Sequence, residues 1–280
     1  MDEQNCILLV DNGSYRAASV LSLRRIAKDL SERVGCKVHP VSLLHSTKID
    51  PDELNGVRAD IVEPFITGKL ATGIERFLVV PLFFGRSAAI YEYLPQRVEE
   101  IKKDFPNLEV RIADPLVDMG SSASDDVAQI LADLVRLKIS EEKLKTPSVT
   151  LVDHGTPRKE VNDVRNFIAN QLKRILSDEV SAVAPSSMES RSGPEYDFNK
   201  PLLEDLLGSD GFCSDVVLSM LFVSPGRHAG DGGDIHTICI ESEKKNNGLK
   251  TYMSGLFSEH EGTVKILESR LRKGMESMPI

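Results

Sequence analysis

Short apolar runs alternate with longer stretches whose apolar residues recur every three or four positions, and this alternation passes along the chain twice. CILLV (6–10) has the length and continuity of a strand buried on both faces. Val20, Leu23, Ala27, Leu30 and Val34 then mark one stripe of a helix. KVHPVSLL (37–44) predicts a strand, and Leu54, Val57, Val62 and Phe65 predict a helix. RFLVVPLFF (76–84) is the strongest strand pattern, followed by a helix near 88–104, a strand LEVRIA (108–113) and a helix near 122–137. RLKISEEKLKTPS (136–148) reads as a helix end and a linker. The order then restarts. VTLV (149–152) predicts a strand, and Val161, Val164, Phe167, Ile168, Leu172 and Ile175 stripe a helix. DEVSAVA (178–184) predicts a strand, and a polar loop runs on to about Asn199. PLLEDLL (201–207) reads as helix, DVVLSMLFV (215–223) as strand and DIHTICIE (234–241) as helix. LKTYMSG (249–255) and a helix over 261–274 close the series. Strand–helix alternation implies parallel βαβ units, hence two tandem doubly wound α/β domains, 1–145 and 146–280.

The two halves also share local sequence. Residues 6–16 read CILLVDNGSYR and residues 148–158 read SVTLVDHGTPR, with Asn12 where the second copy has His154, an offset of 142. LFFGRSA (82–88) matches LFVSPGRHA (221–229), with Ser87 against His228, an offset of 141. A near-constant offset over this distance implies internal duplication. One copy carries two histidines that the other lacks, so a single active site is expected, in the second domain. In doubly wound sheets, ligands sit beyond the carboxyl ends of the strands, and both histidines fall there.

Bulk properties narrow the partners. The 280 residues carry 34 basic and 43 acidic side chains, a net charge of −9, which disfavours nucleic acid. A hydrophobic content of 41% with 28% charged residues is that of a globular chain, and no apolar run reaches a membrane span. The first strand begins near Asn5 or Cys6, so no targeting segment and a cytoplasmic location are expected. Cys6, Cys36, Cys213 and Cys239 form no CxxC motif and read as buried thiols in a reducing compartment.

A pair of neutral imidazoles suits a divalent ion such as Fe²⁺, Co²⁺, Ni²⁺ or Zn²⁺, and two protein ligands leave positions open for chemistry. Imidazole also accepts protons near neutrality. A metal that replaces two N–H protons of a macrocycle needs both properties. The loop SPGRHAGDGGDI contains Gly226, Gly230, Gly232 and Gly233 and admits a second reading, backbone amides cradling a phosphate. It matches neither common nucleotide motif, and Asp231 and Asp234 would repel phosphate. Glu189, after a strand, could supply a carboxylate to the same cleft, with Thr47 at about that point in the first copy. Arg158 and Arg227 flank the histidines and could pair with substrate carboxylates; Arg16 and Arg86 are their counterparts, so structural roles stay open. Tyr196 and Phe198 suggest that 186–203 packs as a lid. His39, His45, His236 and His260 read as surface or helix-end residues.

LVDHGTPR followed by LFVSPGRHAGDGGDI resembles the sirohydrochlorin cobaltochelatase/ferrochelatase family, the class II chelatases. The resemblance implies two tandem chelatase-like domains and insertion of Co²⁺ or Fe²⁺, or in a related branch Ni²⁺, into sirohydrochlorin, toward sirohaem or cobalamin. It implies that His154 and His228 bind the metal and accept pyrrole protons while Glu189 assists. Arg158 and Arg227, with Gly226 and Gly230 beside them, would hold the tetrapyrrole. The metal is then a substrate and no cofactor stays bound. The chain would work as a monomer or homodimer. The first half departs from the pattern at both histidines. The competing expectation is a non-catalytic tetrapyrrole or metal carrier derived from a chelatase.

Overall fold

The structure is a computed structural model that describes residues 5–120, 124–230 and 232–276; Asp231 and the predicted helix start at 122–123 lie outside them. The chain forms two compact units, each built on a four-stranded parallel sheet with flanking helices. In the first, β1 (Asn5–Asp11), β2 (Val38–Ser42), β3 (Arg76–Pro81) and β4 (Glu109–Ile112) lie in the order β2-β1-β3-β4. In the second, β5 (Ser148–Asp153), β6 (Ala182–Ser187), β7 (Asp215–Met220) and β8 (Lys250–Met253) lie in the order β6-β5-β7-β8. The central strands are covered on both faces, as their unbroken apolar runs require: Leu8, Leu9, Val10, Val79, Val149, Leu151 and Val217 are fully buried. Each such side chain contributes roughly 1.5–3 kcal/mol of transfer free energy. The edge strands contain Pro40 and Pro185, at the same register opposite Leu9 and Leu151. Proline is accommodated there because an edge strand need not donate on its outer side.

The helices are α1 (Ala17–Val34), α2 (Val62–Leu70), α3 (Leu94–Lys102), α4 (Asp126–Glu142), α5 (Lys159–Leu176), α6 (Leu203–Leu206), α7 (Asp234–Lys245) and α8 (Gly262–Glu276). Most match the apolar periodicity. The helix expected through Leu54, Val57, Val62 and Phe65 is broken: a 3₁₀ turn covers Pro51–Leu54, and α2 starts only at Val62. Asn55 and Gly56 take φ of 58° and 78° and end the turn, leaving Val57 exposed. The strand expected at 178–184 is displaced to Ala182–Ser187, because Ser177–Glu179 forms a 3₁₀ turn after α5.

The strand order restarts with β5 at Ser148, and the compact units divide the chain at other points. Unit one comprises Met1–Asp118 and Val264–Ile280, and unit two is Met119–Thr263. The last helix of each half therefore belongs to the other half's unit. In unit one, Arg270 of α8 donates to the Pro115 and Leu116 carbonyls at 2.9 and 3.0 Å, and Lys273 pairs with Asp114 at 2.6 Å. In unit two, Arg136 of α4 pairs with Glu179 at 2.7 Å. Gln171 of α5 donates to the Ser124 carbonyl, just before α4, at 2.8 Å.

All four cysteines are free; Cys6 and Cys239 are buried as expected, whereas Cys36 is half-buried and Cys213 exposed. Among the described residues no helix is long and apolar enough to cross a membrane.

Candidate metal and tetrapyrrole site

β6, β5 and β7 are consecutive in the second sheet, so the segments leaving their carboxyl ends converge. His154 directly follows β5, Glu189 follows β6, and His228 lies in the loop between β7 and α7. The backbone ties these segments together: Met188 N–H donates to the Asp153 carbonyl at 2.8 Å, Glu189 N–H to the His154 carbonyl at 3.2 Å, and Leu221 N–H to the Val152 carbonyl at 2.9 Å.

The three predicted side chains meet. The His154 and His228 rings stand edge to face with centroids 4.5 Å apart. Nε2 of His154 is 3.6 Å from Oε1 of Glu189. Nδ1 of His154 lies 3.1 Å from the Gly155 carbonyl, and Nδ1 of His228 lies 2.6 Å from Oδ2 of Asp234. A carbonyl oxygen can only accept, so Nδ1 of His154 donates and its Nε2 carries the lone pair in the neutral ring. Among the described residues no group of three or more His, Cys, Asp or Glu is arranged to hold a metal.

The remaining candidates are placed around this pair. Arg158 is the N-cap residue of α5, its N–H donating to Oγ1 of Thr156 at 3.1 Å. Arg16 occupies the same position before α1, with its N–H on Oγ of Ser14 at 3.0 Å. Arg227 is exposed, its Nε 3.7 Å from Oδ2 of Asp234. Gly226 N–H closes the turn onto the Ala229 carbonyl at 3.0 Å, and Gly230, at φ 141°, accepts from Gly233 N–H at 3.1 Å. His236 accepts from Gly232 N–H at 3.0 Å and closes the loop. The expected lid contains a 3₁₀ turn, Pro194–Asn199, in which Tyr196 and Phe198 pack edge to face at 6.4 Å.

Residues 6–136 match the CbiX family model. That match spans a little under half of the chain, the first copy alone. SirB from Bacillus subtilis with Fe³⁺ matches at TM-score 0.66 and 17% identity, covering 97% of this chain and 95% of that one. The sirohydrochlorin chelatase SirB from Bacillus subtilis subspecies spizizenii in complex with cobalt matches at TM-score 0.67 and 16% identity, covering 98% and 96%. CbiX, the terminal enzyme for biosynthesis of siroheme in denitrifying bacteria, matches at 0.59 and 12%, covering 99% and 100%. No curated protein matches the chain in sequence. The family match falls on the copy with Asn12 and Ser87, so the histidine pair is not what carries it.

The structure corrects one correspondence between the copies. Leu43 N–H donates to the Asp11 carbonyl as Met188 does to Asp153, so Leu44 stands opposite Glu189. Thr47 lies three residues beyond. The copies differ in loop length after the central strand, and a constant offset of 142 missed this shift to 145. The first copy therefore replaces the carboxylate with an apolar side chain.

A second group escaped the sequence reading. Arg165 of α5 is fully buried, and the residue at offset 142 is Leu23, equally buried. Arg165 donates to the hydroxyl of Ser187, to the Asn199 carbonyl at 3.0 Å and to the Phe198 carbonyl at 3.3 Å, and lies 3.7 Å from Oδ1 of Asp153. The Ser187 hydroxyl also donates to Asp153 at 2.6 Å. Asn199 in turn brackets Thr156, accepting from its N–H at 3.0 Å and donating to its carbonyl at 2.8 Å. Burial pushes the Asp153 carboxyl above the usual carboxylate range, opposed by the Arg165 charge and the Ser187 hydroxyl. Asp11, whose burial is opposed by the Ser42 hydroxyl and nearby backbone amides, is pushed up to about 6. The signal in the sequence is an arginine where the other copy has the apolar stripe residue Leu23.

Gly155 makes the approach of β5 and β6 loops possible. Its φ is 92°, and an added Cβ would fall 2.0 Å from the Glu189 carbonyl oxygen. Gly13 has the same conformation against the Leu44 carbonyl. Gly155→Ala is expected to destabilise unit two by at least about 1–3 kcal/mol through backbone strain and the clash. Urea denaturation should register the loss, and Co²⁺ titration a weaker site as Glu189 is pushed from His154.

Proposed function

We propose that this protein is a cytoplasmic sirohydrochlorin chelatase, inserting Co²⁺ or Fe²⁺, with Ni²⁺ a further candidate, into sirohydrochlorin or a close tetrapyrrole. The observation that carries the reading is the edge-to-face pair of His154 and His228 at the carboxyl ends of neighbouring strands. The metal enters as a substrate, held by the two imidazoles, and two positions occupied by protein leave the rest open to water and to pyrrole nitrogens. Insertion exchanges two N–H protons for the ion, so nearby acceptors are required. The imidazoles and the Glu189 carboxylate, 3.6 Å from His154, supply them. Arg158 and Arg227 hold peripheral carboxylates of the macrocycle, and Gly226 and Gly230 keep the wall of the cleft low. The SirB and CbiX likenesses support the chelatase fold for this reading.

The test is anaerobic absorption spectroscopy of sirohydrochlorin with each metal, with and without the protein. Metallation accelerated over the uncatalysed rate is the expected result, and the relative rates rank the metals. Tight macrocycle binding without acceleration by any of the three would replace the chelatase reading with a carrier.

A further inference from the structure

We propose that Asp234 is a positioning residue that sets the tautomer and orientation of His228, so that Nε2 is the atom it offers to a metal. The inference deepens the chelatase reading and rests on it for its catalytic meaning, but its geometry stands alone. Asp234 is the first residue of α7, six positions after the histidine, and its Oδ2 lies 2.6 Å from Nδ1 of His228. The loop is folded to create this contact. Ile235 N–H donates to the His228 carbonyl at 3.3 Å, returning the chain so that the helix start faces the ring. Gly233, the residue before the helix, leaves no room for a side chain: an added Cβ would meet the His228 carbonyl oxygen at 2.8 Å.

An ionised carboxylate has no proton to give, so Nδ1 must be the donor. The lone pair of neutral His228 is then confined to Nε2. His154 reaches the same state through the Gly155 carbonyl at 3.1 Å. The two rings thus present the same kind of atom by different means, a neutral carbonyl behind one and a carboxylate behind the other. Carboxylate support fixes ring orientation and raises the donor strength of the imidazole, and loss of such a partner weakens metal affinity by about 10–100-fold. Arg227 also faces this carboxylate, 3.7 Å away and largely exposed. Its distance and exposure leave the histidine contact dominant.

Three variants of the full-length protein test the assignment: Asp234→Ala, Asp234→Asn and Arg227→Ala. Long-range ¹H–¹⁵N correlation spectra of histidine-labelled protein read the tautomers, and Co²⁺ alone, titrated calorimetrically, reads the affinity. In wild type, His228 is expected to show a protonated Nδ1 and a bare Nε2. Asp234→Ala should shift His228 toward protonation at Nε2 and weaken Co²⁺ by about 10–100-fold, while the His154 signals stay in place. Asp234→Asn, whose amide oxygen can still accept, should restore the tautomer and most of the affinity. Arg227→Ala should leave the tautomer unchanged. An unaltered His228 tautomer in Asp234→Ala overturns the proposal, and so does an altered tautomer with unchanged Co²⁺ affinity. If the tautomer and affinity respond but sirohydrochlorin is not metallated by the wild type, the chelatase reading fails and this assignment survives.

Discussion

Replacing His154 or His228 by alanine is expected to lower metal insertion by about 10²–10⁴-fold, with the fold intact, and the double variant should be scarcely worse than either single one. The large effect follows from the two tasks that the proposed function gives the pair. In the proposed chelatase, each ring would donate a lone pair to the incoming ion and would accept a proton in the exchange. Removing one leaves a single imidazole, which neither fixes the metal nor shares the proton load. Non-additivity follows from the same argument, since the second ring has little to do once the first is gone. Stability should change by less than about 0.5 kcal/mol, because both side chains sit in loops and are partly exposed. Initial rates of the Soret and visible changes on metallation, together with circular dichroism melting, measure the two quantities. Singles that retain full rates would remove the histidines from the mechanism.

The second large effect concerns a residue remote from the reacting atoms. Arg165→Ala is expected to destabilise unit two by about 3–5 kcal/mol, since it strands the Asp153 carboxyl in a buried site and leaves Ser187 and two carbonyls short of a donor. The first copy shows how the same fold dispenses with this group, with Leu23 at the corresponding helix position. The double variant Asp153→Asn/Arg165→Leu should therefore recover a substantial part of the lost stability, because it removes both buried charges. It should not recover Co²⁺ affinity, because the Arg165 bonds to the 198–199 carbonyls also hold the loop that brackets Thr156 beside His154. Urea denaturation separates the first quantity and calorimetric titration the second. Equal stability of wild type and Arg165→Ala would make the buried ion pair incidental.

Much of this arrangement was legible in the residues. CILLV and SVTLV reveal central parallel strands because a strand covered on both faces needs no polar alternation. The paired Asp-x-Gly turns reveal the carboxyl ends because only a glycine tolerates the close approach of the neighbouring loop. What stayed hidden depended on pairing rather than pattern. Asp234 read as a charge hostile to phosphate, since nothing in its spacing says that the loop folds back to place it on His228. Arg165 does not stand out in the sequence because a helix stripe is defined by its apolar members, and the burial of a cation in it is visible only through its partners. The sequence offset does not pair Leu44 with Glu189 because loops change length while strands keep register. The helix over 262–276 shows one apolar stripe whichever sheet it covers, so its membership of unit one could not be read from periodicity.

That last feature bears on how the polypeptide is made. Unit two is one continuous insertion within unit one, whose sheet precedes it in the chain and whose helix α8 follows it. At about 5–20 residues per second, the 145 residues from Met119 to Thr263 keep the nascent first sheet waiting for roughly 7–30 seconds. During that interval the first sheet has its own preceding helices but lacks α8, while the intervening unit, contiguous in sequence, can complete itself first.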